Sequence, residues 1–135
     1  MRRMLALLAL LTATLAACGG SDHGNSMDGM DHGSGEMENR AVAAGAREIP
    51  VMANKLSFTP ETIRVRAGVP VGIVLTSKDL EHDFFVKGTG HIVHAAADTT
   101  ARGGLTIKKP GAYRFWCTVS GHKEGGMVGT ITVTA

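Results

Sequence analysis

The stretch FWCTVSGHKEGGM, residues 115–127, carries three potential metal ligands in one short segment. Cys117, His122 and Met127 follow one another in a C-x4-H-x4-M pattern. Thiolate, imidazole and thioether are ligands that suit copper in both of its common oxidation states. The residues on either side of the loop 118–126 have strand character, so one hairpin can direct all three side chains to a common point.

The segment GAYRFWC that leads into this loop has the alternation of a half-buried strand. Successive side chains of a strand point to opposite faces, which places Tyr113, Phe115 and Cys117 on one side and Arg114 and Trp116 on the other. If the first set faces the core, Cys117 directs its sulfur into an apolar pocket at the end of the strand.

The rest of the segment 47–135 reads as short β runs separated by turn residues such as Pro110-Gly111. No stretch has a persuasive helical period, although residues 91–99 could hold a turn of helix. This pattern predicts an all-β domain, an antiparallel Greek-key sandwich or barrel. The predicted strands are 48–52, 63–65, 69–75, 83–86, 105–107, 112–117 and 127–133.

A fourth ligand must come from another part of the chain. A thiolate, two imidazoles and a long, weak thioether form the trigonal site of a mononuclear electron-transfer copper centre. His82 in LEHDFFV is the best candidate, because it begins a predicted strand that can pair beside the Cys117 strand. Asp83 could then organise hydrogen bonds that tie the two ligand loops together.

The segments HDFFV and GAYRFWCTVSGHKEGGMVGTITV resemble the cupredoxin family, the plastocyanin- and azurin-like type 1 blue copper proteins, over about residues 47–135. The resemblance implies a cupredoxin-like β-sandwich and one-electron transfer, with the second histidine near the surface as the electron exit. It also implies one type 1 copper, and the metal ligands would be His82, Cys117, His122 and Met127. The family commonly has Asn after the first histidine, where this chain has Asp83.

Each of these residues alone has a simpler interpretation, since a lone Cys or Met usually packs in a core and a lone His is usually solvated. The binuclear copper site of respiratory oxidases needs a second cysteine in the loop, and 118–126 contains none. Zinc favours a closed ligand set without an axial thioether. A Cys117–His122 catalytic pair lacks evident oxyanion donors or a cleft. We therefore expect a copper protein that is not an enzyme.

The first residues have the pattern of an export signal. Two arginines precede an apolar run, 4–15, and Leu-Ala-Ala-Cys follows, so residues 1–17 are predicted to be a signal peptide. The small residues before Cys18 resemble the lipobox of bacterial lipoproteins. We expect a protein anchored to a membrane through lipidated Cys18, in the periplasm or on the outer face of the membrane. Simple secretion with cleavage near Ala17 is the alternative.

Residues 18–46 form a predicted flexible tether, rich in Gly, Ser, Asp and Asn and without apolar periodicity. Its imidazole and thioether side chains could capture copper, or the segment could be only a hydrophilic spacer. The potential ligands of the tether are His23, Met27, Met30, His32 and Met37.

His91 and His94 are three positions apart and could form a secondary metal site, although a helical turn facing water is favoured.

The charge pattern bears on partners. The formal net charge is +2, with an acidic tether and a mildly basic domain. Neither is basic enough to suggest nucleic acid as a partner. Together with the cupredoxin resemblance, the sequence predicts a monomeric carrier of one electron between redox partner proteins that the sequence does not identify. The alternative is a copper storage, delivery or tolerance protein that uses the tether as well as the domain.

Overall fold

The computed structural model describes residues 37–135, which form nine β-strands. The predicted signal peptide, Cys18 and most of the tether lie outside the described residues. Within them, no helix is long and apolar enough to cross a membrane. The strands are β1 (Arg47–Asn54), β2 (Ser57–Thr59), β3 (Thr62–Arg66), β4 (Val71–Ser77), β5 (His82–Val86), β6 (Gly90–Ala95), β7 (Thr100–Leu105), β8 (Gly111–Trp116) and β9 (Val128–Thr134).

The strands form two sheets, with the orders β2-β1-β4-β7 and β3-β9-β8-β5-β6. The all-β sandwich predicted from the sequence is confirmed. The pairing is mixed, however, because β1 lies parallel to β4 and β3 lies parallel to β9, while the other pairs are antiparallel. Parallel neighbours need a crossover, and here the chain passes to the opposite sheet before it returns.

The core lies between the two sheets and is built by period-two alternation. In β1 the inward positions Ile49, Val51 and Ala53 are buried while their neighbours are exposed. Two buried aromatic rings, Phe84 and Phe115, stack with centroids 4.4 Å apart. Each lies two residues along the chain from a predicted ligand, His82 or Cys117.

The helical turn expected within residues 91–99 is wrong, because β6 occupies the first part of this segment. A bulge where β5 pairs with β6 places two consecutive apolar side chains, Ile92 and Val93, in the core. The bulge breaks the strict alternation that would have identified a strand from the sequence.

Strand β7 also lies earlier in the chain than the predicted run 105–107. Its two glycines mask its strand character, but close packing requires them. A Cβ at Gly103 would lie 2.2 Å from the carbonyl oxygen of Ile92, and one at Gly104 would lie 2.1 Å from that of Ala41. Glycine is therefore needed where the two edge strands and the incoming chain approach closely.

The C-terminal end of the predicted tether is not free. The Arg40 N–H donates to the Ile92 carbonyl at 3.0 Å, and Gly104 N–H donates to the Arg40 carbonyl at 2.9 Å. Arg40 thus bridges β6 and β7, the edge strands of the two sheets, and covers backbone groups that would otherwise be open. The packed domain therefore begins before residue 47.

Candidate metal centre

Strand pairing brings the two predicted ligand segments to the same end of the sandwich. His82 is the first residue of β5, and Cys117 directly follows β8. These two strands are neighbours, with Phe85 opposite Trp116. Because the strands are antiparallel, the start of β5 lies beside the end of β8, which places both residues at one edge.

The ligand atoms of His82, Cys117 and His122 all lie within 4.8 Å of one another. Cys117 Sγ lies 3.9 Å from Nδ1 of His82 and 3.4 Å from Nδ1 of His122. All three residues are buried, with His122 the most accessible at 8% exposure and the other two at 0%. The sulfur therefore lies within reach of two imidazole nitrogens in a site whose three residues are buried.

Met127, the fourth predicted ligand, is fully buried at the end of the same loop. Its N–H donates to the His122 carbonyl at 3.0 Å, and its carbonyl accepts from Cys117 N–H at 3.2 Å. These two bonds close the hairpin and hold Met127 beside the other two residues. Gly126 precedes it with φ of 100°, a conformation that glycine adopts far more easily than other residues.

Asp83 connects the two ligand segments. Its carboxylate accepts hydrogen bonds from the N–H of Thr118, at 2.5 Å, and from the Thr118 hydroxyl. Its own N–H points at Cys117 Sγ, 3.4 Å away. Asp83 therefore makes the loop-tying contacts expected at the position where the family commonly has Asn.

A contact that the sequence analysis missed lies on the far side of His82. Its Nε2 is 2.8 Å from Oδ1 of Asp79, and Oδ2 of that carboxylate accepts the Lys55 N–H at 2.6 Å. The hydrogen bond with His82 is the main reason why the pKa of Asp79 lies below its ordinary value. The sequence separation of three residues between Asp79 and His82 was the available signal. Many pairs with this separation in turns make no contact, so the signal is weak.

Burial raises the pKa of the Cys117 thiol to about 11, although a hydrogen bond from the Asp83 backbone opposes part of this rise. Without a metal, the thiol is therefore neutral at physiological pH. A metal that binds as a thiolate complex must displace that proton, so metal binding is coupled to proton release.

The donors suit copper. The pocket offers two imidazole nitrogens and one sulfur, with the Met127 thioether on the same loop and no carboxylate among the converging groups. Carboxylates are the ligands preferred by Mg²⁺ and Ca²⁺, whereas imidazole with sulfur is the set found at blue-copper centres. The backbone hydrogen bonds of the short ligand loop keep Cys117, His122 and Met127 close together.

His91 and His94 do not join a comparable cluster. Both lie on β6, where His94 Nε2 is 3.4 Å from Glu81 Oε2. Burial lowers the pKa of His91. Over residues 37–135, the trio at positions 82, 117 and 122 is the one grouping of His, Cys, Asp and Glu close enough to hold a metal. The structure therefore gives no support to a secondary site built on this histidine pair.

A family model for the cupredoxin-like domain matches residues 6–133. The chain belongs to the cupredoxin family. In a cupredoxin fold, the converging histidines and cysteine with the neighbouring methionine are typical of a type 1 copper site, and this cupredoxin is a copper protein.

Known relatives agree with this assignment. The chain is 28% identical to the copper-resistant cuproprotein CopI of Rubrivivax gelatinosus, over 96% of this chain and 94% of the relative. It is 33% identical to cytochrome c oxidase subunit 2 of Thermus thermophilus, over 62% of each chain. Auracyanin A, a "blue" copper protein from Chloroflexus aurantiacus, has a similar fold, with a TM-score of 0.57 at 19% identity over 67% of this cupredoxin and all of that chain.

Proposed function

We propose that this cupredoxin is an extracytoplasmic carrier of single electrons, in which His82, Cys117 and His122 would hold copper together with the weaker thioether donor of Met127. The observation that carries the proposal is the buried Cys117 sulfur, which lies 3.4 and 3.9 Å from two imidazole nitrogens. Copper bound there would supply a one-electron Cu(II)/Cu(I) couple.

The protein's contribution is a site that is already arranged. Cys117 and Met127 are held by backbone hydrogen bonds within the loop, and Asp83 ties that loop to β5. Donors fixed in this way need little rearrangement when the charge on the metal changes. Small rearrangement favours fast electron transfer, and the burial of the donors keeps water from adding further ligands.

The difference in exposure among the ligands supports an electron route through His122. This ring is 8% exposed, whereas His82, Cys117 and Met127 are each 0% exposed. His122 is therefore the most accessible of the four ligands. A redox partner that docks over this edge would exchange its electron through the His122 ring.

Copper tolerance is the second candidate function. The supporting observation is the alignment with the copper-resistant cuproprotein CopI, which covers nearly the whole of this chain rather than the domain alone. The aligned part therefore includes positions of the Met- and His-containing tether. In this role the tether would collect copper and the domain would hold it.

The amino-terminal sequence supports the proposed location. The apolar run 4–15 and the Leu-Ala-Ala-Cys pattern support export and lipidation at Cys18. A monomer tethered in this way could move between redox partners near one membrane. Globomycin, an inhibitor of lipoprotein signal processing, should cause accumulation of the full-length precursor, and Cys18→Ser should abolish the incorporation of a labelled fatty acid.

The two candidate functions differ in a measurement on the mature chain loaded with copper. An intense visible thiolate-to-copper band that bleaches with reductant and returns on oxidation supports the carrier. A protein without that band, which releases Cu(I) readily to a chelator, supports tolerance. A variant in which the tether ligands His23, Met27, Met30, His32 and Met37 are alanine is the matched control, because it should keep the band and lose only additional bound copper.

Met127→Leu tests whether Met127 is a copper ligand. The variant should keep copper and its colour but have a higher reduction potential, since loss of a donor disfavours Cu(II). An unchanged potential in voltammetry would argue against Met127 as a ligand while leaving the other three assignments in place.

A further inference from the structure

The buried ring of His82 is held from behind by a carboxylate. His82 is 0% exposed, so its far nitrogen cannot rely on bulk water for a hydrogen bond. Asp79 Oδ1 lies 2.8 Å from that Nε2. An ionised carboxylate can only accept a hydrogen bond, so Nε2 carries a proton, and Nδ1, the nitrogen that faces Cys117 Sγ, is the one left for a metal.

We propose that Asp79 is a positioning residue that commits Nδ1 of His82 to the metal and whose negative charge favours Cu(II) over Cu(I). The inference rests on the proposed ligation of copper by His82. It adds a residue outside the ligand set that both orients a ligand and sets the redox preference of the centre.

Asp79 is itself held in place, which it must be if it is to orient another side chain. Its second carboxylate oxygen accepts the N–H of Lys55, a residue with φ of 53° in the turn between β1 and β2. In the turn between β4 and β5, which carries Asp79, Ser77 donates a further hydrogen bond to the Leu80 carbonyl. The carboxylate is therefore fixed between two separate parts of the backbone.

The position of Asp79 also makes its charge effective. Its side chain is 27% exposed and the ring that it contacts is 0% exposed, so the carboxylate stands between solvent and the buried ligand. A negative charge stabilises the more positive metal ion, Cu(II), more than it stabilises Cu(I). A carboxylate that accepts from a metal-bound histidine also increases the basicity of the ring, and loss of such partners typically costs 10–100-fold in metal affinity.

The test compares Asp79→Asn and Asp79→Ala with the wild type, with Glu81→Gln as the matched control. Glu81→Gln removes the same charge two residues away, but Glu81 contacts His94 rather than His82. Asp79→Asn keeps an acceptor and removes the charge. We expect the ratio of Cu(II) to Cu(I) affinity to fall about tenfold, which raises the potential by about 59 mV for a one-electron couple. Glu81→Gln should change the ratio by much less.

Asp79→Ala removes the acceptor as well as the charge. In the metal-free protein, nitrogen NMR of the histidine rings should show His82 protonated at Nε2 in the wild type and in Asp79→Asn. In Asp79→Ala we expect a mixture of the two neutral tautomers. This measurement contains no copper, so it tests the Asp79–His82 contact even if copper proves to bind elsewhere.

Two results with the Asp79 variants would overturn the proposal. One is a potential in Asp79→Asn that equals that of Glu81→Gln, which would remove the redox role. The other is an unchanged His82 tautomer in Asp79→Ala, which would remove the positioning role. Ser77→Ala loosens the same turn without touching His82. If it shifts the potential as far as Asp79→Asn does, the effect belongs to the turn in general and the assignment to Asp79 fails.

Discussion

The two sides of the metal centre are built in different ways. The loop between Cys117 and Met127 closes on itself through backbone hydrogen bonds, including His122 N–H to the Val119 carbonyl at 3.0 Å. His82, by contrast, is positioned by side chains, with Asp79 on its ring and the adjacent Asp83 bonded across to Thr118. The loop geometry should therefore tolerate many side-chain changes, whereas the His82 side depends on two carboxylates.

Cys117→Ser should have the largest effect on copper binding, because it removes the thiolate from the loop between Cys117 and Met127. A hydroxyl cannot supply the soft covalent bond, so the visible thiolate-to-copper band should be absent. The hairpin should remain, since its backbone bonds do not involve the sulfur. Absorption spectroscopy after copper loading and far-ultraviolet circular dichroism would check the two expectations. A variant that keeps its colour would show that another residue is the sulfur ligand.

Asp83→Ala should break the connection between the two sides. The variant removes both acceptors for Thr118, and we expect a 10–100-fold loss of copper affinity in competition with a chelator. Thr118→Val is the matched control, because it removes the hydroxyl and keeps the backbone N–H bond to the carboxylate. It should lose less affinity than Asp83→Ala. Equal losses would mean that the hydroxyl alone ties the loops.

The pH dependence of the stability of the metal-free protein reports the burial of the Cys117 sulfur, and so tests the loop side of the centre separately from the His82 side. An unfolded thiol ionises near 9.0, but the pKa of Cys117 in the folded protein is about 11. Between these values the unfolded chain loses a proton that the folded chain retains. Stability is therefore fully present below about pH 9 and falls as the pH rises to about 11, by roughly 2–3 kcal/mol in total.

Denaturant unfolding at several pH values would measure this decline. Cys117→Ser is the control, since its hydroxyl does not titrate in that range and the corresponding part of the decline should vanish. If both proteins lose stability equally between pH 9 and 11, the sulfur is not the group responsible.

Asn39→Ala should have the smallest effect and should leave both sides of the centre unchanged. Asn39 Oδ1 accepts the His94 N–H at 2.6 Å, and its amide donates to the His94 carbonyl at 3.3 Å. Loss of these bonds should lower the free energy of unfolding by about 1 kcal/mol. The copper band should not shift. A shift would show that the incoming chain acts on the metal centre through β6.

Several elements were readable from the sequence because their signals are local. Alternation in β8 placed Phe115 and Cys117 on the buried face, and both are buried. Strand β6 was missed because a bulge buries Ile92 and Val93 together. Strand β7 was placed too late because Gly103 and Gly104 have no side chains with which to show a period. In both cases contacts between distant residues override the local pattern.

The sequence by itself determined the nature and order of the donors. Cys117, His122 and Met127 lie within one short segment, so a hairpin is enough to bring them together. Only the tertiary structure decided what orients His82. Its ring depends on Asp79, which is anchored to the turn after β1, and on strand pairing between β5 and β8. Such contacts depend on how distant segments pack, because the separation of two residues along the chain does not determine their distance in the folded protein.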